Sequence, residues 1–417
     1  METERYQPAQ DFNELVQRSS FWVRAMAKTM GIWPGRYVSM RLRWYRRLYY
    51  FMLLMHWLNT YLQIEFFFRN LGNLGLVVQG LCSFVSICTT GLKVMRMHAY
   101  EDEIQQIWHA LENATFVKRI RFLRKTDRGA VFDDINRLLA GQWKEVQLNL
   151  RFYCFVVGLV ASIYSILPAG SNLYSQFLGH NFNRSLVYNT YYPFLEPIKQ
   201  RSPLFELLFC SESLSGYTTW AGVVAFDGLY VVLVLYATSL MRLLRDLVRE
   251  TANPHLTDTE RSFFQRECIL HHIRTKQLIE KINEIFSPIL LVQLFTSTSV
   301  ICVIAFAASM PTDGADSQTM LMVLYLIAAI YQLFQFCWYG QRLQNESTAL
   351  PLSVYDVEWE RCAQNFKTSH RILLLYSQRQ IDMRAWSFSA MSLETFSTII
   401  RSAASYFTVL QTLAEAE

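Results

Sequence analysis

The chain alternates between long apolar runs and long polar connections. Seven runs approach or exceed the ~20 residues that a helix, rising ~1.5 Å per residue, needs to cross a ~30 Å hydrocarbon core. They cover roughly Leu48–Phe68, Leu74–Met95, Phe152–Ser171, Phe205–Leu240, Pro288–Met310, Met320–Gly340 and Phe388–Leu413. This pattern predicts an all-α, polytopic membrane protein with seven transmembrane helices. The connections read as helical too. Ile104, Ile107, Trp108 and Leu111 recur at helical spacing within residues 96–150. Residues 241–287 read as an extension of the fourth span, a turn at Asn253-Pro254, and a helix leading into the fifth. In residues 351–385, Tyr355, Trp359, Cys362 and Phe366 follow a 4-3-4 spacing that puts one apolar stripe on one helix. Such a stripe buries either in its own chain or at a subunit interface.

The last run is not a greasy anchor. Ser389, Ser392, Thr395, Ser397, Thr398, Ser402, Ser405, Thr408 and Thr412 punctuate it, with Glu394 and Arg401 inside. A helix surrounded by lipid has no use for so many hydroxyls, whereas one facing water on one side does. Two readings stand at this point: a pore-lining helix, or a buried helix whose hydroxyls bond back to their own carbonyls. A cation at mid-membrane costs at least ~2.5–3.5 kcal/mol unless it meets water or a partner, so Arg401 should not face lipid. Glu394, seven residues earlier, lies on the same face.

Composition sharpens the picture. Hydrophobic residues make up 52% of the 417, yet mean hydropathy is only +0.13, so the apolar residues are clustered and the remainder is polar. The formal charge of +5 reads as a topology signal rather than as a nucleic-acid footprint. Of the 39 Lys and Arg residues, 33 fall in residues 1–47, 96–151, 241–287 and 341–387, all on one side of the alternation. The positive-inside rule then gives a cytoplasmic N-terminus and an extracellular C-terminus. No short apolar core follows the polar N-terminal residues, so the first span is expected to act as its own signal-anchor. The cysteines offer no evident pair on the outer side, and no disulfide is expected. Among the sequons, Asn113-Ala114-Thr115 and Asn345-Glu346-Ser347 fall inside, leaving Asn183 as the candidate glycosylation site. No catalytic fingerprint, cofactor motif or metal-ligand spacing is present, and the adjacent His271 and His272 cannot share a helix face as paired ligands would. Asp227, midway along the fourth span, is either functional or bonded within the bundle.

At its C-terminal third the sequence becomes more specific. Phe336-Cys337-Trp338-Tyr339-Gly340 closes the sixth span, followed by Glu346-Ser347, Tyr355, Trp359 and the run Arg371 to Arg379. Beyond these come Ser392-Leu393-Glu394-Thr395-Phe396 and Ser405-Tyr406-Phe407-Thr408-Val409-Leu410. Together with the topology, these residues resemble the insect odorant receptor family over about residues 320–413.

The resemblance implies an odorant-gated, non-selective cation channel subunit in the plasma membrane of olfactory sensory neurons. It also implies a tetramer formed with a shared co-receptor around a central pore. Four stretches then take roles: a cytoplasmic segment (1–47), spans one to six with the ligand pocket (48–340), cytoplasmic anchor helices (341–387) and a pore-lining seventh helix (388–413). A short extracellular tail (414–417) follows. The short 241–287 connection, lacking the co-receptor's large insertion, points to an odorant-specific (tuning) subunit. By motif, Val409 takes a gate position and Thr412 stands where the co-receptor has glutamine. Arg401, Ser405 and Thr408 complete the expected pore set, and Tyr355, Trp359, Cys362 and Phe366 the subunit anchor. A small volatile apolar ligand in the outer half of the membrane wants aromatic and aliphatic walls with one or two polar groups. Span position and periodicity suggest Val78, Leu81 and Cys82, then Val157, Ala161, Tyr164 and Leu167. Leu214, Tyr217 and Thr218 follow from the fourth span, and Met322, Tyr325 and Ala329 from the sixth. Membrane lipids, the ligand and the co-receptor are the expected partners, and no cofactor is expected. The alternative class is a seven-span chemoreceptor signalling through a G protein.

Overall fold

The computed structural model describes residues 16–18, 20–32, 39–72, 74–113, 115–118, 120, 129–177, 184–309 and 316–416. The helices are α1 (Phe21–Thr29), α2 (Ser39–Arg69), α3 (Leu74–Ala99), α4 (Glu101–Glu112) and α5 (Thr115–Lys118). Then follow α6 (Gly129–Phe177), α7 (Leu204–Glu250), α8 (Asp258–Ser309), α9 (Asp316–Tyr355), α10 (Gln364–Ser377) and α11 (Leu393–Ala416). Four helices, α6 to α9, contain stretches that are apolar and long enough to span a bilayer on composition alone. On α2 the polar residues His56, Asn59, Thr60 and Gln63 are all buried. With α2, α3 and α11 the bundle has seven transmembrane helices.

The bundle is built around α7. Its residues from Val224 to Met241 are all buried, which is why they read as a continuous apolar run rather than as a stripe. Helices α1, α2, α3, α6, α8 and α9 all pack against it. The one charged residue in this stretch is Asp227. The Lys93 Nζ of α3 lies 2.8 Å from Asp227 Oδ1, with the two side chains only 1% and 2% exposed. Tyr153 Oη of α6 donates to Asp227 Oδ2 at 2.5 Å and Gln332 Nε2 of α9 at 2.6 Å. Gln293 of α8 donates in turn to Gln332 Oε1. The Lys93 ammonium also sits 5.6 Å from the ring centre of Phe226 and 5.7 Å from that of Phe336. One buried ion pair therefore gathers side chains from five helices.

Pro288 within α8 is accommodated by a partner. Pro288 cannot donate to the carbonyl of Glu284, four residues back in α8. Arg96 of α3 supplies the missing donor, bonding Glu284 O at 2.6 Å and Ile285 O at 3.1 Å. As the sequence indicates, α7 continues to Glu250, turns through Asn253-Pro254, and resumes as α8. There His271 bonds the Leu240 carbonyl at 3.2 Å, and burial holds its imidazole down at about 4, so it stays neutral near pH 7.

Two expectations need correction. The apolar stripe Tyr355, Trp359, Cys362 and Phe366 does not lie on one helix. α9 ends at Tyr355, Trp359–Arg361 forms a single 3-10 turn, and Cys362 is extended with ψ 168°. Tyr355 is 62% exposed, whereas Cys362 and Phe366 are buried. Trp359 stacks on His370, which bonds the Val354 carbonyl at 2.8 Å and so folds α10 back on α9. Nor does the last helix begin at Phe388. A two-residue hairpin of β1 (Arg384–Ala385) and β2 (Ser389–Ala390) precedes it. Trp386, with φ 54°, turns the hairpin. Asn283 of α8 clamps the hairpin through Asp382 O and Arg384 N, at 2.8 and 2.9 Å. Ser392 then caps α11 by accepting from Thr395 N.

The ion pair sets a testable expectation. Lys93→Met alone orphans a buried carboxylate and should cost ~3–5 kcal/mol. Lys93→Met/Asp227→Asn removes that charge while Asn can still meet Tyr153 and Gln332, and should recover most of the loss. Thermal unfolding of the purified protein in detergent measures both. A single variant as stable as the parent would contradict this account.

Candidate functional site

Two neighbouring cavities lie within the bundle, the inner one beside the Asp227 cluster. The inner one, about 110 Å³, is bordered by α3, α6, α7 and α9. Tyr153 and Gln332, both bonded to Asp227, form one part of its wall. The outer one, about 690 Å³, lies between α3, α6, α9 and the 185–189 segment, with Ile304 of α8 at its edge. Ser83, Tyr164, Tyr188 and Tyr325 line both and form the partition. The Tyr164 ring stands edge-on to Tyr325 at 6.5 Å and tilted to Tyr188 at 6.4 Å.

Tyr188 belongs to no helix, and a buried carboxylate holds it in place. Glu212 of α7 accepts from Val187 N at 2.9 Å and Tyr188 N at 3.0 Å. It also accepts from Thr190 Oγ1 at 2.5 Å and Tyr192 Oη at 2.9 Å. One carboxylate thus ties a six-residue stretch of loop to the top of α7. Gly216, one turn further along, leaves room for the Tyr188 hydroxyl: a Cβ there would lie 2.6 Å from it.

Hydrogen-bond accounting shows which groups a guest would meet. Ser86 pairs with Tyr325, which also donates to Cys82 O. Ser83 bonds Gly80 O, Thr219 bonds Ser215 O, and Trp220 Nε1 bonds Cys154 O. Tyr153 and Gln332 are held by Asp227. The hydroxyls of Tyr164 and Tyr188 have no such bond to the described residues. The inner cavity is therefore an apolar, aromatic chamber with two uncommitted hydroxyls at its outer wall, suited to a small, largely apolar guest with one hydrogen-bonding group.

The residues suggested by the sequence divide plainly. Val157, Ala161 and Ala329 line the inner cavity, Cys82, Leu167 and Met322 the outer one, and Tyr164 and Tyr325 both. Leu81 lines neither, and the Val78 side chain lies outside the described residues, as does Asn183. On α7 the suggested residues line neither cavity. Leu214 and Tyr217 are each 40% exposed, and Thr218 is buried away from both cavities. Gly216, Thr219, Trp220 and Val223 face the inner cavity instead. The stretch around them mixes small, hydroxyl and aromatic residues on every side, so periodicity marked no face. Tyr188 was missed because a loop has no periodicity, and Tyr153 and Gln332 because their role comes from Asp227.

The last helix presents two faces. Phe396, Ile399, Ile400, Ala403, Phe407 and Leu410 pack on the core. Arg401, Ser405, Thr408, Val409 and Thr412 lie on the opposite, exposed side. Arg401 donates to Ser397 O and Oγ, at 3.3 and 3.1 Å. Thr408 and Thr412 bond back to Ser405 O and Val409 O. The helix starts where α9 touches it most closely: at Gly340 a Cβ would lie 2.2 Å from Met391 O, so no larger residue fits. Gln341 Oε1 accepts from Leu393 N at 3.2 Å, and Phe334 meets Phe396 edge-on at 5.7 Å. Just beyond, Ser347 Oγ accepts from Ile381 N at 2.8 Å, and Glu346 pairs with Arg245 of α7. Gly340, the last of the family-like residues closing the sixth span, thus helps seat the seventh.

Seven membrane-spanning helices, four of which border an aromatic chamber, define a multi-pass membrane protein. Residues 73–404 match the family model described as 7tm Odorant receptor, and the chain belongs to that family. Odorant receptor 85c of Drosophila melanogaster is 23% identical over 364 residues, covering 83% of this chain and 90% of that one. Odorant receptor 63a of the same species is 26% identical over 272 residues, covering 64% of this chain and 65% of its own, a little under two thirds. The odorant receptor coreceptor of Anopheles gambiae is 27% identical over 162 residues, covering 38% of this chain and 34% of its own. Among solved structures, the insect olfactory receptor OR5 from Machilis hrabei in complex with eugenol superimposes with a TM-score of 0.77 at 13% identity. It covers 97% of this chain and 99% of its own. At that identity the likeness shows the fold.

Tyr164→Ala and Tyr325→Ala should shift ligand sensitivity ~5- to 150-fold, the equivalent of a lost aromatic contact of ~1–3 kcal/mol. Dose–response curves at matched surface expression measure this. Unchanged curves for both variants would place the ligand elsewhere.

Proposed function

We propose that this chain is the odorant-specific subunit of an odorant-gated, non-selective cation channel. In this reading a small volatile ligand occupies the inner cavity, and the pore is formed by four subunits that include a shared co-receptor. The observation that carries the proposal is the continuity of α9. The same helix lines the cavity with Tyr325, Ala328, Ala329 and Gln332 and, eight residues beyond Gln332, seats α11 through Gly340. A ligand that moves α9 would move the start of α11.

The exposed face of α11, with Arg401, Ser405, Thr408, Val409 and Thr412, then lines the pore, Val409 and Thr412 acting at the gate. The basic connections face the cytoplasm, with the N-terminus on that side and the C-terminus outside, in the plasma membrane of olfactory sensory neurons. The anchor to neighbouring subunits uses the α9–α10 region. Tyr355, exposed at the end of α9, is the member of the anchor set best placed for a partner, while Cys362 and Phe366 support it from within. A coreceptor among the relatives and the short link between α7 and α8 support assembly with such a subunit.

Whole-cell recording with an odorant panel tests this. The chain alone should give little or no odorant current, and co-expression with the co-receptor a robust one. Robust current from this chain alone would overturn the tuning-subunit assignment. Ligand responses that require a G protein and carry no direct conductance would overturn the channel.

A further inference from the structure

A third cavity, about 580 Å³, lies at the end of the bundle that carries the basic connections. It is lined by Arg18, Phe21 and Trp22, at and before the start of α1, and by Lys144, Gln147 and Arg151 of α6. Three of the six lining residues are cations and none is a carboxylate. Phe21 and Trp22 meet edge-on at 5.5 Å, and Phe21 is largely exposed.

The course of α6 tells what such a cavity takes. At 100° per residue, Lys144, Leu148, Arg151 and Phe155 lie within ~60° of one another on a single face. Leu148, Phe152, Phe155 and Leu159 are all exposed. Along one open side of the helix the surface thus passes from cationic to hydrocarbon-like within about two turns. Trp, Arg and Lys at such a junction mark the headgroup level of a bilayer. A soluble anion would meet the cations but not the exposed Phe152 and Phe155. A phospholipid offers both chemistries in the order the helix presents them.

We propose that this cavity is a binding site for an anionic glycerophospholipid. The phosphate lies among Arg18, Lys144 and Arg151, the aromatic pair Phe21–Trp22 forms the rim, and the acyl chains run along Phe152 and Phe155. Guanidinium groups match phosphate oxygens in pairs, and juxtamembrane cations hold anionic leaflets. The site joins α1 to α6, so an occupied site fastens the N-terminal helix to the bundle. It does not depend on the channel reading.

Native mass spectrometry of the intact chain, released from detergent with phosphatidylinositol 4-phosphate or phosphatidylcholine of identical acyl chains, tests it. The anionic lipid should be retained at least tenfold better. Lys144→Gln/Arg151→Gln should weaken retention ~25-fold, at about fivefold per cation. Arg361→Gln/Lys281→Gln, which removes the same charge from exposed positions on other elements, should leave it unchanged. Phe155→Ser should weaken the lipid but not the soluble inositol phosphate headgroup. Equal loss in the charge-matched control, or full retention by the first double variant, overturns the site. Equal affinity for the soluble headgroup shows a phosphate site without a lipid and overturns the proposal as stated.

Discussion

Burying Lys93 and Asp227 at the centre of the bundle is the constraint on which the other features depend. Two charges taken out of water leave a net cost unless the remaining hydrogen-bonding capacity is filled. Here it is filled from α6 by Tyr153 and from α9 by Gln332, which fixes those two helices in rotation and height against α7. The inner cavity exists where these helices separate on the outer side of that cluster. Tyr153 and Gln332 both support the ion pair and form part of the cavity wall, so the electrostatic cluster shares in setting the shape of a chamber otherwise lined mainly by apolar and aromatic side chains.

Glu212 does for the outer end what Asp227 does for the middle. A helix cannot position a loop by periodicity, so one carboxylate gathers the backbone and hydroxyls of residues 187–192 and delivers Tyr188 to the chamber. At the other end Gly340 lets the backbone before α11 approach α9 closely enough for Gln341 to hold Leu393. The three devices lie in sequence along the bundle: loop, ion pair, and the seat of the last helix.

Much of this was legible in the chain. The seven apolar runs correspond to seven helices, and the spacing of Ile104, Ile107, Trp108 and Leu111 marks the buried face of α4. The hydroxyl-rich last run does have one packed and one open face. What periodicity could not supply was pairing between distant positions. Lys93 and Asp227 are 134 residues apart, and each alone reads as an odd charge in a span. The face of α7 toward the cavity was misread because residues 212–220 carry no apolar stripe. The 4-3-4 spacing after Tyr355 was misread as one helix because extended Cys362 interrupts it without a glycine or proline to announce the break.

The central claim is that the open face of α11 borders an ion pathway opened by ligand. Cysteine accessibility tests it most directly, in cells that co-express the co-receptor. Thr408→Cys and Thr412→Cys should be modified by a charged, membrane-impermeant thiol reagent applied with odorant, with a lasting change in current. Ala403→Cys, on the packed face, should not respond. Currents indifferent to the reagent at Thr408 and Thr412, or equally sensitive at Ala403, would contradict the account.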